Sequence, residues 1–150
     1  MDAIDRKIIE ILTEDARRSL TDIGAAVELS PSAVNERIRR LVANGVIRNF
    51  TLEVDHRALG LDVLAFVWVG LAPDADEAAF RSFMADHPAV AECHHVTGAW
   101  SYCVKVRIPS LGDLEPFLAE LKRRRFLARS ETVIALSTVR ESLATTVPRA

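Results

Sequence analysis

Apolar residues recur at helical spacing through the first third of the chain. Ile4, Ile8, Ile11 and Leu12 fall on one stripe, with Asp2 placed as an N-cap and Asp5 in the first turn. A polar link, Asp15-Ala16-Arg17-Arg18, leads to Ser19. This serine caps a short second helix with Asp22 at capping-box spacing, and Leu20, Ile23 and Val27 form its inner stripe. Ser30 and Pro31 open a third helix, the proline standing at the first helical position, where no hydrogen bond is lost. That helix turns Val34, Ile38, Leu41 and Val42 inward and stops at Asn44-Gly45, where Gly45 suits a left-handed cap.

From Val46 the period shortens. Ile47, Phe50, Leu52 and Val54 stand among polar residues and predict one or two short extended segments, with the domain boundary at residues 55–60. The expected division is therefore 1–60 and 61–150. The second part reads as a strand at 61–71, a helix at 74–86 bearing Phe80, Phe83 and Met84, and strands at 90–97 and 99–108 about a turn at Gly98. A helix from Asp113 follows, with Pro116 in its first turn and Leu114, Phe117, Leu118 and Leu121 inward, and then a last strand at 132–139. The order βαββαβ predicts a ferredoxin-like two-layer sandwich, making the whole chain α+β.

Such a sandwich has helices on one face of its sheet only. Yet Val63, Ala65, Val67, Val69 and Leu71 alternate with Leu64, Phe66 and Trp68, and Ile134 and Leu136 alternate with Val133, Ala135 and Val139. Both faces are apolar, whereas a solvated face would be polar. Leu64, Phe66, Trp68, Ile134 and Leu136 are thus expected to pack on another copy of the chain, the alternative being cover by the amino-terminal part.

Composition narrows the class. With 49% hydrophobic and 27% charged residues the chain is an ordinary globular one. No run approaches a membrane span, the acidic amino terminus does not read as a signal peptide, and two cysteines make no disulfide framework, so a cytoplasmic location is expected. The net charge of −2 hides a basic stretch: residues 16–50 carry six arginines against three acids. A short helix, a tight turn and a proline-started helix make a helix-turn-helix candidate, whose second helix enters the major groove of DNA. On a helical wheel Ser32, Glu36, Arg39 and Arg40 oppose the core stripe and Arg37 sits at the edge. With Ser30 and Asn35 near the helix start, these are the candidate DNA contacts. A basic solvated helix of any small bundle is the plainer alternative.

Other motifs yield less. Cys93 and His95 share a strand face, and a hairpin centred on Gly98 pairs Cys93 with Cys103, but a closed zinc site wants a fourth ligand, so no metal is expected. A reversible Cys93–Cys103 bridge is a lesser option. Lys122-Arg123-Arg124-Arg125 suits a helix end, where cations complement the dipole. No phosphate-binding glycine loop and no ordered nucleophile with its base is present, so neither a cofactor nor an enzyme is expected.

Asp2, Asp5, Ile8-Ile9, Asp15-Ala16-Arg17, Ser30-Pro31-Ser32-Ala33-Val34, Arg37-Ile38-Arg39-Arg40-Leu41, Gly45-Val46-Ile47 and Leu59-Gly60 together resemble the leucine-responsive/asparagine regulator (Lrp/AsnC, feast/famine) family of transcription factors. The resemblance implies a winged helix-turn-helix followed by a ligand-sensing domain of the ferredoxin-like fold. It also implies dimers assembling into tetramers or octamers, with a small effector, usually an amino acid, between dimers. The family's effector region falls on Val96, Thr97, Gly98, Ala99, Trp100, Ser101 and Tyr102; Ser101 stands where members often carry an aspartate. Siroheme decarboxylases resemble the same family in both domains, and His94 and His95 keep an enzyme of that type as the alternative reading.

Overall fold

The computed structural model describes residues 1–141. Met1–Glu53 and Val54–Val139 form two compact units.

The first unit contains α1 (Ala3–Glu14), α2 (Leu20–Val27) and α3 (Pro31–Ala43). The sequence signals for their ends are used as expected. Asp2 and Asp5 complete a capping box on α1, Ser19 accepts from the Asp22 amide, and Ser30 accepts from the Ala33 amide. Gly45 adopts φ 69° just beyond α3, and the Val46 and Ile47 amides fold back onto the Leu41 carbonyl. Ile8, Ile23 and Val34, one from each helix, are fully buried and collect Ile4, Ile11, Leu12, Val27, Leu29 and Ile38 around them. Leu20 and Val42, expected inside, are exposed; for Leu20, the eight residues of α2 are too short to bury more than one turn of stripe, and Val42 stands in the last turn of α3, beyond the buried Leu41.

No strand forms at residues 46–62, contrary to the extended segments expected there. Phe50, Leu52 and Val54 are exposed. An isolated strand has no partner for its amides and carbonyls, and among the described residues none is supplied.

The second unit runs β1 (Val63–Leu71), α4 (Glu77–Asp86), β2 (Val90–His95), β3 (Tyr102–Ile108), a 3₁₀ turn (Leu111–Asp113), α5 (Leu114–Arg123) and β4 (Leu127–Ile134). The sheet order is β2-β3-β1-β4, antiparallel throughout, which is the ferredoxin-like arrangement. Phe80 and Met84 of α4 and Phe117 and Leu121 of α5 pack with Val67, Val69, Tyr102, Val104, Val106 and Ile108. Each such side chain contributes roughly 1.5–3 kcal/mol on burial. Phe80 is the hub, 4.8 Å from the Tyr102 ring and edge-on to Phe126 at 5.5 Å.

Two expectations about the sheet need correction. The last strand starts five residues early, at Leu127, and ends at Ile134, so residues 135–139 lie beyond it. Phe66 pairs with Val133 and Ala65 with Ile134. Ile134 therefore lies on the helix-bearing side with Ala65, and Val133 joins Phe66 and Trp68 on the other; Leu136 lies past the strand, fully exposed. In the β2–β3 hairpin His94 faces Cys103 and Cys93 faces Val104. This register is one residue off the Gly98-centred one, and a one-residue slip moves every side chain to the opposite face. Cys93 and Cys103 consequently lie on opposite sides of the sheet, and both are free thiols. The shared ligand set and the cross-strand disulfide fall together. Among the described residues no cluster of three or more metal-type ligands occurs, and no helix is long and apolar enough to cross a membrane.

Candidate nucleic-acid interface and effector loop

The turn between α2 and α3 is held by a close backbone approach. Gly24 is buried, and a Cβ there would stand 2.5 Å from the Leu29 carbonyl oxygen. Glu28 takes a left-handed conformation (φ 57°) to end α2, and the Leu29 amide closes onto the Gly24 carbonyl at 3.0 Å. These contacts fix the crossing of the two helices that a helix-turn-helix requires.

On α3 the candidate contacts separate into two groups. Ser32, Glu36, Arg39 and Arg40 are exposed and Asn35 is half-buried. Ser30 and Ser32 share a hydroxyl contact at 3.0 Å at the helix start. Arg39 makes no ion pair among the described residues. Arg37 differs. Its guanidinium donates to Asp2 Oδ2 and Asp5 Oδ1, each at 2.7 Å, and Arg40 adds a longer contact of 3.5 Å to Asp5 Oδ2. Asp5 is 2% exposed, the one buried charged side chain among the described residues. Burial pushes its carboxyl up, but the Arg37 hydrogen bond and the Asp2 amide outweigh that and hold it below the ordinary carboxylate range. Arg37 therefore ties α3 to the start of α1, a tie not legible in the sequence because Arg37 lies 35 and 32 residues from Asp2 and Asp5.

The effector region is the β2–β3 loop. Ser101 is committed to the backbone: its amide donates to the Val69 carbonyl at 2.8 Å, its carbonyl accepts from Val96, and its hydroxyl accepts from the Leu71 amide at 3.1 Å. Trp100 is half-buried, and the Arg129 guanidinium of β4 lies 4.3 Å over its ring while donating to the Ala99 carbonyl. Thr97, Gly98 and Ala99 are exposed, and Gly98 has φ 102°. Tyr102 is buried. It donates to Glu77 Oε1 at 2.5 Å and accepts from Arg81 Nε at 2.6 Å, and His95 stacks on its ring at 4.9 Å. Burial, and then the bond to Glu77, raise the Tyr102 hydroxyl above its usual range. That hydrogen bond, with Arg81, lowers Glu77. The Glu77–Arg81 spacing of four was the one readable sign of this group.

The two adjacent histidines face opposite ways, His94 meeting Glu92 at 3.1 Å and His95 meeting Tyr102. At the end of α5, Arg124 folds over Phe83 at 4.6 Å and bonds Glu120, as a helix-end cation does.

Comparison with known proteins bears on both sites. Residues 1–42 match the AsnC-type helix-turn-helix domain and residues 64–145 the Lrp/AsnC ligand binding domain. The chain is 38% identical to the HTH-type transcriptional regulator LrpC of Bacillus subtilis over 79% of this chain and 81% of that protein. It is 36% identical to the regulator FL11 of Pyrococcus horikoshii over 95% and 93%. The solved structure of B. subtilis LrpC superposes with TM-score 0.83 at 33% identity, covering 95% and 99%. A Neisseria meningitidis regulator solved as its L-Met complex shares the fold, at TM-score 0.90 and 21% identity over 97% and 96%.

Proposed function

This chain belongs to the Lrp/AsnC family of helix-turn-helix transcriptional regulators, and from that premise we propose that α3 reads DNA while the β2–β3 loop receives a small effector. In this reading DNA binding resides in residues 1–60, and effector binding and assembly in residues 61–150.

The observation that carries the reading is the division of labour on α3. Arg37 is spent inside the helical unit, which leaves Ser32, Glu36 and Arg39 exposed on the outward face, beside a half-buried Asn35 and an exposed Arg40 that keeps only a 3.5 Å contact to Asp5. Arginines serve both phosphates and guanine edges, and short polar side chains near a helix start suit base edges or phosphates. One such helix covers a single half-site. Two copies joined through the sheet face of Leu64, Phe66, Trp68 and Val133 would cover two, spaced by about one turn of DNA or a multiple. These four residues form an apolar patch on that face, and none of them belongs to the cluster packed with α4 and α5. Further association of dimers into tetramers or octamers would set the two loops of neighbouring dimers around an effector, so that effector and DNA affinities are reciprocally linked.

Fluorescence anisotropy on labelled DNA from just upstream of the chain's own gene, against unlabelled unrelated DNA and a salt titration, tests this. The expected result is binding that survives competitor and weakens linearly on a log–log salt plot. Affinity no greater than that of the unrelated DNA overturns it.

A further inference from the structure

Resting on the reading of the β2–β3 loop as the effector site, the geometry points to Arg129 as the group that receives the effector. The ligand class it selects is a carboxylate without an α-ammonium, a 2-oxo acid.

Two contacts hold the guanidinium at the loop, and a glycine gives the side chain room to reach it. Arg129 lies opposite Gly70 in the β1–β4 ladder, where a Cβ would stand 2.9 Å from Arg129 Cγ, so the glycine leaves a lane for the side chain. At the far end of that lane the guanidinium stacks on Trp100 and donates to the Ala99 carbonyl. An arginine carries five N–H donors in a fixed fork, and one acceptor on the loop leaves the rest of the fork available. Among the described residues Arg129 forms no ion pair. Other arginines of the second unit do: Arg81 is paired with Glu77, and Arg123 and Arg124 with Glu120. Among the described residues Arg129 is thus a cation directed by Trp100 and Ala99 and paired with no acid. A bidentate carboxylate supplies both the charge and the two acceptors, at little ordering cost because the fork is already oriented.

The loop offers no acid to an ammonium. Residues 96–102 contain no acid, and the Ser101 hydroxyl is occupied by the Leu71 amide rather than turned to a ligand. The acid next along that face of β4, Glu131, lies further from the loop, opposite Trp68, and makes no ion pair with Arg129. An α-ammonium placed here would meet the guanidinium with no acid from the loop to offset the repulsion. A 2-oxo acid keeps the carboxylate and replaces the ammonium by a neutral acceptor that the guanidinium tolerates.

Calorimetric titration of the full chain with two matched pairs reads this directly: 4-methyl-2-oxopentanoate against L-leucine, and phenylpyruvate against L-phenylalanine. The expected result is that at least one 2-oxo acid binds about tenfold or more tightly than its amino acid, the span of one charge-assisted hydrogen bond. Arg129→Gln weakens that 2-oxo acid by a similar factor, and Arg129→Lys, which keeps the charge and loses the fork, falls between. Amino acids binding as tightly as their 2-oxo partners, no heat from any of the four at millimolar concentration, or unchanged affinity in a folded Arg129→Gln overturns the inference. Should Arg129→Gln fail to fold, the selectivity of the unaltered chain still decides. Anisotropy on the same samples separates the two readings. DNA binding retained without 2-oxo acid binding defeats this inference alone, and absence of specific DNA binding defeats the regulator reading.

Discussion

Arg37 on α3 reaches Asp5 on α1 at 2.7 Å and, from the same nitrogen, Asp2 at 2.7 Å, so the residue that closes the capping box of α1 also anchors the helix proposed to face DNA. Removing one partner from a buried ion pair leaves the other charge uncompensated, which is the costly way to break it. Arg37→Gln is expected to lower the melting temperature of the protein and to weaken DNA binding with the salt slope retained. Arg39→Ala is expected to leave the melt unchanged and to reduce the salt slope by about one, the signature of one lost phosphate contact. Thermal melts and anisotropy across a salt series distinguish the two; identical behaviour of both variants would refute the assignment.

The same carboxylates set the acid limit of the fold. Asp2, Asp5 and Glu77 are all lowered in the folded chain. A carboxyl depressed by folding contributes stability above its ordinary pKa and loses it as pH falls through the folded value. From these carboxylates the melting temperature should be level from neutrality down to about pH 4–5 and fall below that, while His87, held below its usual range by burial, adds a smaller loss that begins as pH falls through the ordinary histidine value. In Arg37→Gln, burial becomes the dominant influence on Asp5 and pushes it upward. The deficit of that variant should then shrink as the solution is acidified through that raised value. A deficit that is constant or grows on acidification would show that Asp5 is not the group left unpaired.

Gly24 tests whether the α2–α3 turn is as tight as it looks. Its absent Cβ would sit 2.5 Å from a backbone oxygen, which cannot swing away as a side-chain tip can. Gly24→Ala should cost about 1–3 kcal/mol in chemical denaturation, although alanine is ordinarily the better helix residue. A stabilised variant would mean that the turn has room.

The second sheet face is probed by charge. Phe66→Lys or Val133→Lys sets a cation into the face proposed to pack on a second copy, and should weaken self-association roughly a hundredfold in sedimentation equilibrium. Ile134→Lys, on the opposite side by register, should not follow them. Equal dissociation by all three would dissolve the distinction between the faces.

The helical unit was legible almost to the residue, because Asp2, Ser19, Ser30, Pro31 and Gly45 are short-range signals whose meaning does not depend on what lies elsewhere. Strand order was readable from the alternation of types, but register was not. Gly98 marks the β2–β3 turn, yet the closing pair is Val96 with Ser101, which shifts Cys93 away from Cys103. For β4 the sequence Leu127 to Glu131 carries too few apolar residues to announce a strand, since its alternate positions are Ala128, Ser130 and charged Arg129 and Glu131. The contact of Arg129 with Trp100 was hidden for that reason: it depends on a strand whose position only its pairing with β1 reveals. Ser101 was legible as the residue in the place of an acid; that its hydroxyl would cap Leu71 was not.

Because β1 lies between β3 and β4, the chain cannot finish its central strand in the order in which it is made. Val67 meets Val104 on one side and Thr132 on the other, so the ladder that completes the sheet joins nearly the first and last strands synthesised. The helices of the first unit need only neighbours close in sequence and can assemble while the remainder is still emerging. The second unit must hold β1 half-paired until residues 127–134 arrive. Pairings of such long sequence separation are slow to form. In that interval the apolar residues of β1 are exposed on both sides, and this is the stage at which a growing chain would be most in need of a chaperone.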